Sequence, residues 1–163
     1  MIYLYQTFRK NLPKEKVIIE AIIQLDEAYF EGFKGQTFLM AKQGGTRKLA
    51  YKILNHQDHS KFDAVNFLKE NTRCGTILCT EGYSIYHGIE KLFPVTHIVD
   101  IHKNWEFGKT SEIKGVFGNL RTFIRRIYHH VTSKNLEEIV SEFCFRFIHP
   151  EIFKNPRIFL QIT

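Results

Sequence analysis

Three apolar runs in quick succession, VIIEAIIQLD at 17–26, TFLMAK at 37–42 and KLAYKIL at 48–54, decide the fold of this chain. The first is rich in β-branched residues, which fit a pleated, half-buried surface, and all three have strand length. The separators GFKG and QGGT are turn chemistry. The three strands therefore read as an antiparallel meander.

Downstream the period changes. Phe62, Val65, Phe67 and Leu68 stand at near-helical spacing within 61–71, and a glycine then precedes the apolar run TILCT at 76–80, which gives helix and then strand. Residues 83–92 read as a second short helix stopped by Pro94, and THIVDIH at 96–102 as a further strand. From about Thr110 the period is helical. Leu136, Ile139, Val140, Phe143 and Phe147 put a core-facing stripe on 135–147, with Glu137, Glu138 and Glu142 between them. This order predicts an α/β sandwich on a mixed five-stranded sheet, the order of the ribonuclease H-like fold. Pro150 and Pro156 are expected to mark the end of compact structure. The predicted division is an N-terminal segment 1–16, one domain over 17–150 and a C-terminal tail 151–163.

At 163 residues, 44% hydrophobic and 25% charged, the chain has the composition of one globular domain and not of a disordered one. No apolar run approaches the roughly 20 residues of a membrane helix. The opening MIYLYQTFRKNLPKEK has no apolar h-region or small-residue cleavage site, so cytoplasmic residence is the expectation. Cys74, Cys79 and Cys144 are odd in number and lack CxxC spacing, and read as reduced, partly buried thiols. The net charge of +6 is unevenly placed: residues 109–134 hold six Lys and Arg against the single acid Glu112, five of the six excess charges. Such a stretch either meets a polyanion or is a solvated helix face.

A carboxylate at the end of a central strand is costly to bury without a cation or hydrogen-bond donors. Asp26 and Glu27 follow IIQL, and Glu81 follows TILCT. If the first and fourth strands lie side by side and parallel, the two strand-end carboxylates approach each other. Neighbouring carboxylates suit Mg²⁺, and two such ions about 4 Å apart activate an attacking hydroxyl and stabilise a leaving oxygen of a phosphodiester. Taken alone, an Asp in this place is more often a cap or surface residue.

The chain resembles the ISXO-like transposase domain of bacterial insertion sequences, a branch of the DDE transposases. The resemblance rests on LDEAYFEG at 25–32, TILCTEGYSIYHGI at 76–89, IVDIHKN at 98–104, TSEIKGVFGNLRTFIRRIYHHVT at 110–132 and EFCFRF at 142–147. The pieces run in family order over about 17–150. The resemblance implies Mg²⁺- or Mn²⁺-dependent DNA strand cleavage and strand transfer, with Asp26 at the first metal-binding position. Glu81 stands where the family pattern T-D-G-x-x-x-Y has aspartate. Lys114 stands at the glutamate of T-N-x-I-E-G-x-[FW], with Arg121 at the basic position seven residues on. His102 matches a histidine expected near the metal, or is a structural histidine. Arg121, Arg125 and Arg126 are the implied phosphate contacts, DNA is the implied partner, and a homo-oligomer is compatible with it.

The implied triad is thus Asp26, Glu81, Lys114. The first change keeps the charge and adds one methylene against a magnesium geometry that tolerates little error, so activity should weaken. The second reverses a charge: unit charges 4 Å apart are worth roughly 4 kcal/mol at an effective dielectric of 20, and a divalent ion doubles that. Lys114 is no metal ligand. Glu112 is the other acid nearby, but two residues along a helix separate side chains by roughly 200°, so it faces elsewhere unless the helix begins after it. An enzyme with impaired chemistry and a binding-only remnant both follow, beside a basic α/β domain unrelated to nucleic acid. Tyr29, Tyr83 and Tyr86 read as packing residues ahead of base-stacking platforms. His129 and His130 read as helix-end packing. Family members carry an end-recognition module before this domain, and the chain starts almost at the first catalytic strand, so sequence-specific binding is not expected.

Overall fold

The computed structural model describes residues 7, 9–13, 16–30, 35–56, 58–100, 109–128 and 131–155. Among these residues five strands form one sheet: β1 (Ile22–Ala28), β2 (Thr37–Gln43), β3 (Leu49–Leu54), β4 (Ile77–Glu81) and β5 (Thr96–Asp100). Their spatial order is β3-β2-β1-β4-β5. The meander pairs antiparallel, and β1–β4 and β4–β5 pair parallel. This is the ribonuclease H-like arrangement that the order of apolar runs predicts. The first strand starts later than its apolar run, because Ala21 takes a left-handed φ of 65° and Ile19 bridges to Thr72 instead.

Helix α1 (Lys61–Asn71) follows β3. Ser60 caps it by accepting from the Asp63 amide while the Asp63 carboxylate accepts from the Ser60 amide, satisfying two orphan donors reciprocally. Its buried Ala64, Val65, Phe67 and Leu68 pack with Ile23 and Leu25 of β1 and Leu78 of β4 in the main apolar core. The expected helix over 83–92 is instead two 3-10 turns, Ser84–Tyr86 and Ile89–Lys91. Gly88, at φ 75°, breaks the run between them.

Successive strand residues face opposite sides of the sheet, so if Ile23 and Leu25 face the core with α1, Gln24 and Asp26 face the other side. Helix α2 (Ser111–Ile127) lies on that second side, and polar contacts hold its start. The Gln24 side-chain oxygen accepts from the Ile113 amide at 3.0 Å. The Glu112 carboxylate takes the Lys42 ammonium and accepts from the Gly45 amide at 3.2 Å. Gln24 and Lys42 are cross-strand partners, so one register position of the sheet fixes the first turn of α2. The Thr110 amide and hydroxyl donate to Asp100 at 3.3 and 3.2 Å, tying the residue before α2 to the end of β5.

The described chain divides into two compact units, Val17–Asn119 and the combination of Met1–Lys16 with Leu120–Thr163. The second contains α3 (Ser133–Ile148), where Phe143 packs on Phe123 with ring centroids 5.5 Å apart. Glu142, fully buried, is met by Arg9 at 3.0 Å, by Arg146 at 2.8 Å and by the Tyr128 hydroxyl at 2.6 Å. The predicted end of structure at Pro150 is corrected: Pro150 opens the short helix α4 (Pro150–Lys154), where its missing N–H costs nothing, and Ile152 is buried. Cys79 and Cys144 are buried and Cys74 is exposed, all three free thiols. No helix among the described residues is long and apolar enough to cross a membrane.

The contacts of Glu112 predict its worth. Glu112→Ala leaves the Lys42 ammonium, whose side chain is 7% exposed, without its counter-ion, and is expected to cost about 1–3 kcal/mol in denaturant unfolding. Adding Lys42→Met should recover part of that loss. A cost below about 0.5 kcal/mol, within the ordinary range of surface substitutions, would show that the pair does not hold α2.

Candidate active site

The sheet brings together two of the sequence-predicted carboxylates. Gln24 of β1 pairs with Cys79 of β4 in the parallel ladder, and Asp26 and Glu81 each lie two residues further on. A step of two returns to the same face, so both carboxylates emerge at the carboxyl edge of the sheet on the side of α2. Across β4, Glu81 pairs with Asp100 of β5, which places a third acid in the same row. Sequence reasoning missed Asp100. The signal was present in IVDIH as an acid at a strand end, but there was no means of telling that its carboxylate would be taken by Thr110.

Lys114 reaches this edge from α2, and its ammonium forms an ion pair with the Glu81 carboxylate. The two side chains are 43% and 33% exposed, so the pair sits at the mouth of the edge and not beneath it. Glu112, two residues earlier, points to the β2 side at Lys42 and Gly45, whereas Lys114 points to the β4 side at Glu81. This is the separation that helical geometry demands. Glu112 is engaged by Lys42 and the Gly45 amide on the β2 side, and Lys42 bonding holds its carboxyl below the usual carboxylate range.

Among the described residues, Lys114 is the cation whose charge acts on Asp26. Burial raises its carboxyl to about 7; the charges of Glu27 and Glu81 add to the rise, while the Glu27 amide and Lys114 oppose it. The Asp26 Oδ1 accepts from the Glu27 amide at 3.0 Å. Glu27 turns to the opposite face, where it accepts from the Tyr86 hydroxyl and lies 3.8 Å from His59 Nε2. Tyr86 is buried, in keeping with a packing role, but Tyr29 and Tyr83 are 45% and 47% exposed.

A third carboxylate normally completes a site for a pair of divalent ions. Here the edge offers Asp26, Glu81 and Asp100, with an ammonium seated on Glu81 and Thr110 donating to Asp100. Among the described residues no group of three His, Cys, Asp or Glu side chains is placed to hold a metal ion. Among the described residues the donor set falls short of a two-metal centre. His102, and with it His129 and His130, lies outside the described residues. Arg121, Arg125 and Arg126 are exposed on the C-terminal half of α2.

The sequence pattern of the ISXO2-like transposase domain matches residues 19–147. No curated protein sequence matches the chain. Among solved structures, a chain of the simian T-cell lymphotropic virus intasome in complex with PP2A regulatory subunit B56 gamma is similar with a TM-score of 0.56 at 10% identity. The match covers 83% of this chain and 50% of that one, so the present chain spans about half of its length. The catalytic core domain of BIV integrase is similar with a TM-score of 0.53 at 9% identity, over 78% of this chain and 82% of that one. At such identities the likeness carries the fold, which is ribonuclease H-like. Because the sequence match runs from the bridge at Ile19 through the whole sheet and into the last turn of α3, this chain belongs to the ISXO2-like transposase domain family.

Proposed function

We propose that this domain is a DDE transposase centre whose strand cleavage and strand transfer are impaired at the third acidic position. The Lys114–Glu81 ion pair carries the reading. It supports the assignment of Asp26, Glu81 and Lys114 to one site, and it supplies the reason for impairment. DDE enzymes generally use divalent metal ions, which hold and activate the oxygens of the phosphodiester when bound. In this chain an ammonium pairs with one carboxylate, and burial raises the other to about 7, so no metal-dependent step is assigned to it.

The same observation favours a second form of the reading, in which chemistry is lost and DNA contact remains. The excess positive charge of 109–134 is suited to phosphates, and Arg121 and Arg125 share one helix face at i, i+4 spacing. Contacts of this kind give binding without base specificity and with a steep salt dependence. Asp26 and Glu81 are the positions that a metal would use in a restored centre, and His102 remains a proposed neighbour of it.

Restoring the acids tests the assignment. Lys114→Glu with Glu81→Asp should create Mn²⁺-dependent nicking of supercoiled DNA where the parent chain shows none, and a folded but inert double variant would remove the site assignment. Replacing Arg121, Arg125 and Arg126 with Ala should weaken DNA binding for all sequences and lower the slope of log affinity against log salt by about one per lost contact; an unchanged slope would place the phosphates elsewhere.

The raised carboxyl of Asp26 also has a signed consequence for stability. In metal-free buffer its unfolded form ionises near 3.8 and its folded form near 7, so the unfolded state gains as pH rises between those values. Asp26→Asn should therefore gain stability relative to the parent chain steadily from about pH 4 to pH 7, then hold a constant difference. Thermal unfolding across that range measures it, and a difference independent of pH would contradict the burial of this group.

A further inference from the structure

Two tyrosines stand at the carboxyl edge of the sheet without a part in the acidic row. Tyr29 follows β1 directly, and Tyr83 comes two residues after Glu81 at the end of β4. The β1–β4 ladder ends at Gln24 and Cys79, and Tyr29 lies one residue beyond β1 and Tyr83 two beyond β4. They are 45% and 47% exposed. A single exposed aromatic needs no explanation. These two, however, meet on one buried group. The Tyr29 hydroxyl lies 3.3 Å from His59 Nδ1, and the Tyr83 ring centroid lies 5.9 Å from that of His59.

His59 is itself held from below. Its side chain is 1% exposed, its Nε2 faces Glu27 at 3.8 Å, and Glu27 takes the hydroxyl of the buried Tyr86. The Tyr83 ring meets Tyr86 edge-on with centroids 6.4 Å apart. The two exposed rings are thus propped by buried partners, so a flat ligand that stacks on them freezes little side-chain motion. Glu27 and Tyr29 lie on the side of β1 opposite Asp26, so a strand crossing the edge of the sheet passes from the carboxylates to the rings.

We propose that Tyr29 and Tyr83 form a stacking platform for an unpaired nucleobase of a DNA strand lying across the carboxyl edge of the sheet. The proposal rests on the reading that DNA is the partner. Every base has a π-face, so the platform tolerates any sequence, in keeping with binding that lacks base-specific readout. Its role is to hold the strand end; it touches no reacting atom.

The test compares a short single-stranded oligodeoxythymidylate with an oligomer of equal length made of abasic sites, using the whole chain at low salt and fluorescence anisotropy. The parent chain should prefer the base-containing strand by at least roughly 5-fold. Tyr29→Ala with Tyr83→Ala should abolish that preference and leave residual binding to the abasic strand, whereas Tyr29→Phe with Tyr83→Phe should keep it. Circular dichroism of each variant confirms that the sheet is formed. Equal affinity of the parent chain for the two strands overturns the platform and leaves the DNA reading intact. A preference that survives in the Ala pair, or one that disappears in the Phe pair, also overturns it. Binding to neither strand overturns the DNA reading and the platform together.

Discussion

Three carboxylates at the carboxyl ends of three neighbouring parallel strands must be neutralised, and the surrounding structure is organised by how this is done. Each is answered differently. Asp100 accepts from the amide and hydroxyl of Thr110. Glu81 takes the Lys114 ammonium. Asp26, desolvated by burial and close to Glu27 and Glu81, shifts toward its neutral form near pH 7. A buried charge without a partner is far costlier than a satisfied one, so the constraint is tightest at Asp100, 7% exposed, and looser at Glu81, whose side chain is 33% exposed. The ion pair, the helix start and the shifted carboxyl are parts of one electrostatic balance.

That balance depends on where α2 sits, and polar groups set its position more narrowly than apolar packing would. Ile113, Val116 and Phe117 supply a buried stripe, but a stripe alone tolerates rotation about the helix axis. Gln24 holds the Ile113 amide, while Lys42 and Gly45 hold Glu112. With Glu112 fixed on the β2 side, Lys114 is directed to the β4 side and onto Glu81. The acidic residue of the helix start therefore serves to aim the basic one.

Most of this was legible in the sequence where periodicity or a contiguous motif spoke. The five strands, α1 and α3 follow from apolar spacing, and the closeness of Asp26 and Glu81 follows from the expectation of a parallel β1–β4 pair. What escaped was decided by backbone conformation or by long-range polar pairing. Ala21 at positive φ shortens β1, and Gly88 divides the expected helix over 83–92. Pro150 starts a helical turn, because a proline at the first helical position stops nothing. Gln24 and Lys42 look like ordinary polar alternation until their common partner, 88 and 70 residues away, is in place. The burial of Glu142 among Arg9, Arg146 and Tyr128 could not be told from a solvated charge on an amphipathic helix.

In the function proposed above, the Lys114 ammonium paired with Glu81 stands at the third acidic position and balances the carboxyl edge in place of a divalent ion. A crystal structure of the unaltered chain soaked in Mn²⁺, read by its anomalous difference map, tests it most directly. The account predicts no anomalous peak at the carboxyl edge of the sheet and the Lys114 ammonium within salt-bridge distance of Glu81. A manganese ion bridging Asp26 and Glu81, with Lys114 turned away to solvent, would contradict it.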